Sequence, residues 1–294
     1  MTSAAELARQ LGGRKSGRSW VCRCPVPKHR DRNPSFSISE SDDGNVLVHC
    51  FVCSQNEVID ALRARGLWPN GHDHRHRAEY HSGNRSAGRR DHDTDTLALV
   101  NSIWAEAADP AGTIAEQYLH ARKLMLPLEL RMVALRIHFA CVWGNSTAPC
   151  LIAAFRSIKD DSLTGIHRIR LDQPRRWPSA ERKMLGRVIG SAIKLDPASD
   201  RLVVGEGLET AMAGRQLGLR PTWALGSASA IANFPLVRGV QELTILGEND
   251  GGLNRAAAIR CCEIWRQRRV YLLAPRLGFK DFNDAITGQR HAFT

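Results

Sequence analysis

From Leu202 onward the chain alternates short apolar runs with helical segments, and that alternation constrains the fold more than any other feature. LVVGEG reads as a strand, ETAMAGRQLG as a helix, PTWAL as a strand and SASAIANFP as a helix. ELTILGEND is again a strand, NRAAAIRCCEIWRQ a helix, VYLLAP a strand, and FNDAI starts a terminal helix. Strands separated by helices of this length call for a parallel sheet with helices on both faces. Residues 200–294 are therefore expected to be a parallel-sheet, Rossmann-like domain.

Such sheets place ligand-binding and catalytic groups at the carboxyl ends of their strands. Glu206 stands at the end of LVVGEG, and Glu248 and Asp250 at the end of LTILGEND. Two acids at i and i+2 beyond a strand point the same way and can grip one hard cation. Gly251 and Gly252 then let the backbone turn closely. Asp281 and Asp284 come after the last strand, beyond Gly278-Phe279-Lys280. In a chain with net charge +11, acids gathered from three strand ends read more economically as a metal site than as solvated loop acids.

The amino-terminal part has another grammar. Residues 1–11 read as a short helix with Ala4, Leu7, Ala8 and Leu11 on one face. SFSIS and VLVHCFV alternate as short strands around a turn at Asp42-Asp43-Gly44-Asn45, and residues 55–67 read as a helix. Cys24 and His29, then Cys50 and Cys53, make two close pairs of soft or borderline ligands across that hairpin. This is the donor set of a tetrahedral zinc ion, which supplies folding energy that so small a core lacks. Cys22 and His49 are spare candidates. Cys24 is favoured because Cys22-x-Cys24 is too tight for both to ligate. Cys141, Cys150, Cys261 and Cys262 lie in apolar surroundings and read as small buried hydrophobes.

CPVPKHRDRNPSFSI followed by VHCFVC resembles the CHC2 zinc-binding domain found at the amino terminus of bacterial and phage DNA primases. The shared features are Cys-Pro, a later His, Pro34-Ser35-Phe36, then His49-Cys50-Phe51 and Cys53, over residues 20–67. Four residues separate Cys24 from His29, where the family usually has two. The resemblance implies contact with single-stranded template. VVGEGLETAMA, ENDGG and KDFNDAI in turn resemble the Toprim domain of primases, type IA and II topoisomerases and some nucleases. That resemblance implies Glu206 as the acid of the EG turn, Glu248 and Asp250 as the Asp-x-Asp pair, and Asp281 as an auxiliary acid. The chain departs from the family at Glu248, one methylene longer than Asp. It departs again at Glu209-Thr210, where replicative primases keep a further Asp.

Taken together, the chain reads as α/β. It has a zinc-ribbon-like module over residues 1–69, a flexible linker over 70–95, an α+β basic middle region over 96–199 and the Toprim domain over 200–294. The linker holds His72, His74, His76, His81 and His92, and flexible chain does not preorganise them as a metal site. In the middle region, residues 96–108 and 113–124 suit helices, and 150–158 pairs antiparallel with 163–171. The surplus of Lys and Arg draws polyanions, nucleic acid first among them; solubility or an acidic protein partner is the alternative. RRWPSAERKMLGR stands where primases keep a basic patch for template and nucleotide, which points to Arg176, Lys183 and Arg187.

The function expected is that of a DNA primase-like nucleotidyltransferase of a bacterium or mobile element. It would make short primers on single-stranded DNA from nucleoside triphosphates, with structural zinc and catalytic magnesium or manganese. No GxxxxGK[ST] occurs, so a helicase is expected to be a separate partner. No apolar run approaches the roughly 20 residues a membrane span needs, and the amino terminus has no apolar signal region, so a cytoplasmic protein is expected. The alternatives are a Toprim nuclease or topoisomerase-like enzyme, or a non-catalytic zinc-dependent nucleic-acid-binding protein. Tyr80, Tyr118 and Tyr271, the chain's three tyrosines, have no context that suits a topoisomerase nucleophile.

Overall fold

The structure is a computed structural model, and it describes residues 3–16, 19–29, 34–40, 45–50, 53, 55–69, 85–249 and 253–288. Two units emerge, Met1–Asn84 and Arg85–Thr294.

The first unit is a four-stranded antiparallel sheet in the order β1-β2-β3-β4, formed by Arg14–Ser16, Ser19–Cys22, Phe36–Glu40 and Val46–Cys50. Helix α1 (Ala4–Gln10) is capped by Ser3, whose side chain accepts from the Glu6 N–H, and it buries Ala4, Leu7 and Ala8 as its periodicity predicts. Helix α2 (Gln55–Ala64) buries Val58, Ala61 and Leu62. Phe36, Ile38 and Leu62 are fully enclosed, but the core holds few large side chains. Strands β1 and β2 were not foreseen from the sequence.

The second unit is built on one nine-stranded mixed sheet. Its order is β13-β12-β10-β11-β9-β6-β7-β8, with β5 also paired to β6. The parallel part is β10 (Arg201–Gly205), β11 (Thr222–Ala224), β12 (Glu242–Leu246) and β13 (Arg269–Leu273). The antiparallel part is β5 (Leu135–Trp143), β6 (Ser146–Ser157), β7 (Leu163–Arg170), β8 (Arg182–Gly186) and β9 (Ser191–Lys194). The short β9 joins them, pairing with β6 on one side and β11 on the other. The strands expected at 150–158 and 163–171 pair as foreseen, but the sheet they start runs unbroken into the carboxy-terminal strands.

Helices cover both faces, as the strand–helix alternation requires. On one face α4 (Ile114–Ala121) and α5 (Leu208–Gln216) pack on Leu135, Leu151, Phe155 and Ile193. Phe282 of α8 (Phe282–Thr287) joins the same core. On the other face, α6 (Ala228–Ala232) and α7 (Leu253–Ile264) lie over β10 to β12, where Phe234 stacks on Trp265 at 5.8 Å. Helix α3 (Arg85–Glu106) covers the antiparallel end with Val100, Ile103 and Trp104. It begins at Arg85, inside the stretch read from sequence as linker; residues 70–84 lie outside the described residues. Cys141, Cys150 and Cys261 are buried as expected, whereas Cys262 is exposed, on the outer side of α7. Among the described residues no helix is long and apolar enough to cross a membrane.

Gly226, just after β11, has φ +88°, and a Cβ there would lie 2.8 Å from Cζ of the fully buried Phe155. Gly226→Ala combines a left-handed backbone with overpacking and is expected to destabilise the second unit by about 2–4 kcal/mol. Urea unfolding followed by tryptophan fluorescence measures this directly.

Candidate functional site

In the first unit, Cys24, His29, Cys50 and Cys53 bring one ligand atom each to within 4.8 Å of one another. Strands β3 and β4 present Cys50 opposite Phe36, and the Val26–His29 turn swings the imidazole toward it. The Cys24 and Cys53 sulfurs are 3.8 Å apart, and His29 Nδ1 lies 3.5 Å from Cys50 Sγ and 3.4 Å from Cys53 Sγ. Tetrahedral zinc with ordinary bond lengths needs about 3.8 Å between sulfurs and about 3.6 Å between sulfur and nitrogen. The donor set therefore fits zinc in spacing as well as in chemistry. Without a cation the thiols penalise one another. The hydrogen bond with Cys50 and then burial push Cys24 up, while Cys53 is pushed up to about 11, chiefly by burial. Of the spare candidates, Cys22 is buried with its thiol toward the Phe36 carbonyl, and neither it nor His49 belongs to the cluster.

In the second unit, a cleft of about 400 Å³ opens at the carboxyl ends of β10 and β12. These strands are parallel neighbours with Gly205 opposite Leu246, so Glu206 and Glu248 both lie just past their ends and line the cleft. The Glu206 carbonyl accepts the Gly226 N–H at 2.8 Å, fixing the turn between β10 and α5. Asn249 secures the other acid's loop, its N–H donating to the Lys280 carbonyl and its Nδ2 to the Phe279 carbonyl, both at 2.7 Å. Asp250, Gly251 and Gly252 lie outside the described residues.

Asp281 and Asp284 reach the same cleft. Asp281 is also the N-cap of α8, accepting the Asp284 N–H at 2.8 Å, and burial raises its carboxyl above the usual range. Asn283 points away and donates to the Arg122 carbonyl at 2.9 Å, tying α8 to the end of α4. Among the described residues no three of the cleft acids bring oxygens as close together as the Cys/His cluster does. The donors are carboxylate oxygens, which suit a hard cation. Magnesium commonly uses one or two carboxylates and keeps several waters, so an open site of this kind fits it.

The cleft also carries cationic side chains, and these were missed from the sequence. Arg122, Arg182 and Lys280 line it together with His167. Arg122 Nε and His167 Nδ1 are buried without a hydrogen-bond partner. Burial holds the His167 ring below its usual value, so it stays neutral at physiological pH. The sequence pointed instead to Lys183 and Arg187. Lys183 faces the other side of the sheet, its ammonium 4.8 Å from the Trp143 ring centre beside Arg168, and Arg187 is exposed past the end of β8 outside the cleft. The Arg176 side chain lies outside the described residues. The parity of β8 decides the matter: Arg182 and Met184 share the face of His167 and Ile169, and Lys183 takes the opposite one. Nothing in RKMLG alone reveals that parity.

Glu209, in the first turn of α5, is the second omission. Its carboxylate accepts from Arg182 Nη2 at 2.6 Å and from the Tyr118 hydroxyl at 2.5 Å. Burial would raise its pKa, but the Arg182 charge and these hydrogen bonds outweigh that and hold it at about 2. Against Arg182, burial works first, and Glu209 and Tyr118 more than compensate, so its pKa is raised. A carboxyl whose folded pKa lies below its ordinary 4.5 stabilises the fold above that value, and the contribution disappears as pH falls toward 2. Between pH 6 and pH 2 the wild type is expected to lose on the order of 3 kcal/mol more than Glu209→Gln does. Urea unfolding of both proteins across that range is the check.

A family model described as a domain of unknown function (DUF7146) matches residues 94–195. No curated protein matches the chain. Among solved structures, the chain is similar to the zinc-binding and RNA polymerase domains of the Aquifex aeolicus primase, with 14% identity over 98% of this chain and 83% of that one and a TM-score of 0.47. It is also similar to the DnaG primase catalytic domain bound to ssDNA, with 17% identity over 68% of this chain and 76% of that one and a TM-score of 0.46. For the RNA polymerase domain of Mycobacterium tuberculosis primase DnaG the identity is 16%, the coverage 66% and 79%, and the TM-score 0.44.

Proposed function

We propose that the second unit's cleft is a metal-dependent nucleotidyl-transfer site and that the chain is a DNA primase-like protein making short primers on single-stranded DNA. The observation that carries this reading is a single cleft lined by both carboxylates and cationic side chains. Glu206 and Glu248 stand at the ends of adjacent parallel strands, with Arg122, Arg182 and Lys280 around the same 400 Å³ space. A triphosphate needs both, carboxylates to hold its divalent metal and N–H donors for its oxygens.

Glu206, Glu248 and Asp250 would hold magnesium or manganese, with Asp281 as an auxiliary acid. When bound, the metal neutralises charge on the transferring phosphoryl group. Arg182 and Lys280 would orient the triphosphate so that its α-phosphorus faces the 3′-hydroxyl of the growing primer. Neutral His167 walls the cleft without repelling a metal ion. Cys24, His29, Cys50 and Cys53 would hold a structural zinc, leaving the first unit to contact template, as its likeness to the CHC2 domain implies. Arg176, Lys183 and Arg187 lie on the second unit's antiparallel half and would meet template phosphates. Nucleoside triphosphates and single-stranded DNA are the substrates in this reading, a helicase is a separate partner, and the setting is the cytoplasm of a bacterium carrying the gene itself or on a mobile element.

Incubating the purified chain with single-stranded DNA, labelled nucleoside triphosphates and magnesium separates the readings. Labelled oligonucleotides support nucleotidyl transfer. Shortened template indicates a nuclease, and a gel shift with neither product indicates a binding protein.

A further inference from the structure

We infer that Glu209 and Tyr118 are positioning residues that lock the Arg182 guanidinium so that it offers a single N–H to one phosphate oxygen in the cleft. The inference rests on reading the cleft as a site for phosphate-bearing substrate.

A guanidinium has five N–H bonds. Arg182 Nε donates to Glu209 Oε1 at 3.0 Å, and Nη2 donates both to the same oxygen at 2.6 Å and to the Tyr118 hydroxyl at 3.3 Å. Nη1 donates to the Ala180 carbonyl at 2.7 Å. One N–H remains, on Nη1. Tyr118 completes the lock, because its own hydroxyl proton goes to Glu209 while its oxygen accepts from Arg182. Both partners are rigid: Tyr118 is fully enclosed in the core, and Glu209 is 6% exposed. The Arg182 side chain keeps 33% exposure and lines the cleft.

The charge arithmetic argues against a simple electrostatic role. A buried carboxylate at hydrogen-bond distance cancels most of the field that Arg182 would project. What survives is direction, a planar donor held where a long flexible side chain would otherwise sample many rotamers. Lysine cannot substitute, since three ammonium protons cannot satisfy Glu209, Tyr118 and Ala180 and still reach a ligand.

The test is a double-mutant cycle on the full chain, read by calorimetric binding of magnesium-ATP. Arg182→Ala and Glu209→Ala should each weaken binding about tenfold, and the double variant should bind no more weakly than Arg182→Ala alone. Glu209→Gln keeps an acceptor oxygen on the guanidinium and should recover most of the affinity. Arg182→Lys should bind as weakly as Arg182→Ala, and this variant leaves Glu209 in place should Glu209→Ala fail to fold. In the ¹⁵N spectrum the wild type should show a slowly exchanging arginine Nε–H that is absent from Arg182→Ala and Glu209→Ala. An additive cycle, wild-type affinity in Arg182→Lys, or no magnesium-ATP binding by the wild type would overturn the inference. Coupled binding in a wild type that makes no primers would refute nucleotidyl transfer and leave the positioning intact. Primer synthesis with an additive cycle would do the reverse.

Discussion

Replacing Glu206 with alanine is expected to lower magnesium-dependent primer synthesis about a thousandfold. A divalent ion at a transferring phosphoryl group supplies several kcal/mol of transition-state stabilisation, and each 1.36 kcal/mol is tenfold in rate. Glu206 is one of the proposed ligands of that ion, one residue past β10 and beside the loop that carries Glu248. The substitution should leave the fold intact. The turn is fixed by the Glu206 backbone carbonyl, which alanine retains, and α5 starts from Gly207 without a side-chain cap. The unfolding midpoint of the second unit should therefore move little while the rate collapses. Glu248→Ala should act in the same direction, and Glu248→Asp, which keeps a carboxylate, should cost far less.

Replacing Cys50 with serine, or stripping the metal with a chelator, is expected to unfold the first unit and leave the second folded. The first core has few large side chains, with Phe36, Ile38, Leu7 and Leu62 as its main fully buried members. Binding of structural zinc is worth about 10–16 kcal/mol in comparably small domains, more than such a core can replace. Cys50 is the hub of the cluster. It ends β4, lies 3.5 Å from His29 Nδ1, and its sulfur accepts the Cys53 N–H at 3.4 Å. Limited proteolysis should digest the metal-free protein up to the start of α3 and spare the second unit. Metal analysis should find one zinc per wild-type chain and none in Cys50→Ser. A folded first unit at zero zinc would contradict this account.

Where a physical period is strong and uninterrupted, the fold was legible in the sequence. Strands β10, β11 and β12 are largely buried runs followed by glycines, and every strand and helix read from Leu202 onward has its counterpart. Strand β5 escaped because a bulge between His138 and Cys141 breaks its alternation. Strand β8 escaped because RKMLG is mostly exposed and shows no apolar face. The four residues of β9 carry no signal of their own, yet they join the two halves of the sheet. Within the site, Glu206 and Glu248 were legible because strand ends are where such sheets put their chemistry. Arg122, which lines the cleft, and Tyr118, which braces Glu209 and Arg182 behind it, were not, because they lie in and at the end of a helix distant in sequence that only tertiary packing brings there. Glu209 was seen as a departure from the Toprim pattern. Its role as the anchor of Arg182 needed the geometry.

One measurement bears most directly on the central claim that this cleft performs metal-dependent nucleotidyl transfer. Zinc-replete wild type and Glu206→Ala are compared side by side for incorporation of labelled nucleotides on single-stranded DNA, with and without magnesium or manganese. The account predicts short labelled oligonucleotides from the wild type only, and only with the divalent metal. Equal product from Glu206→Ala, or none from folded, zinc-loaded wild type across a range of templates, would contradict it.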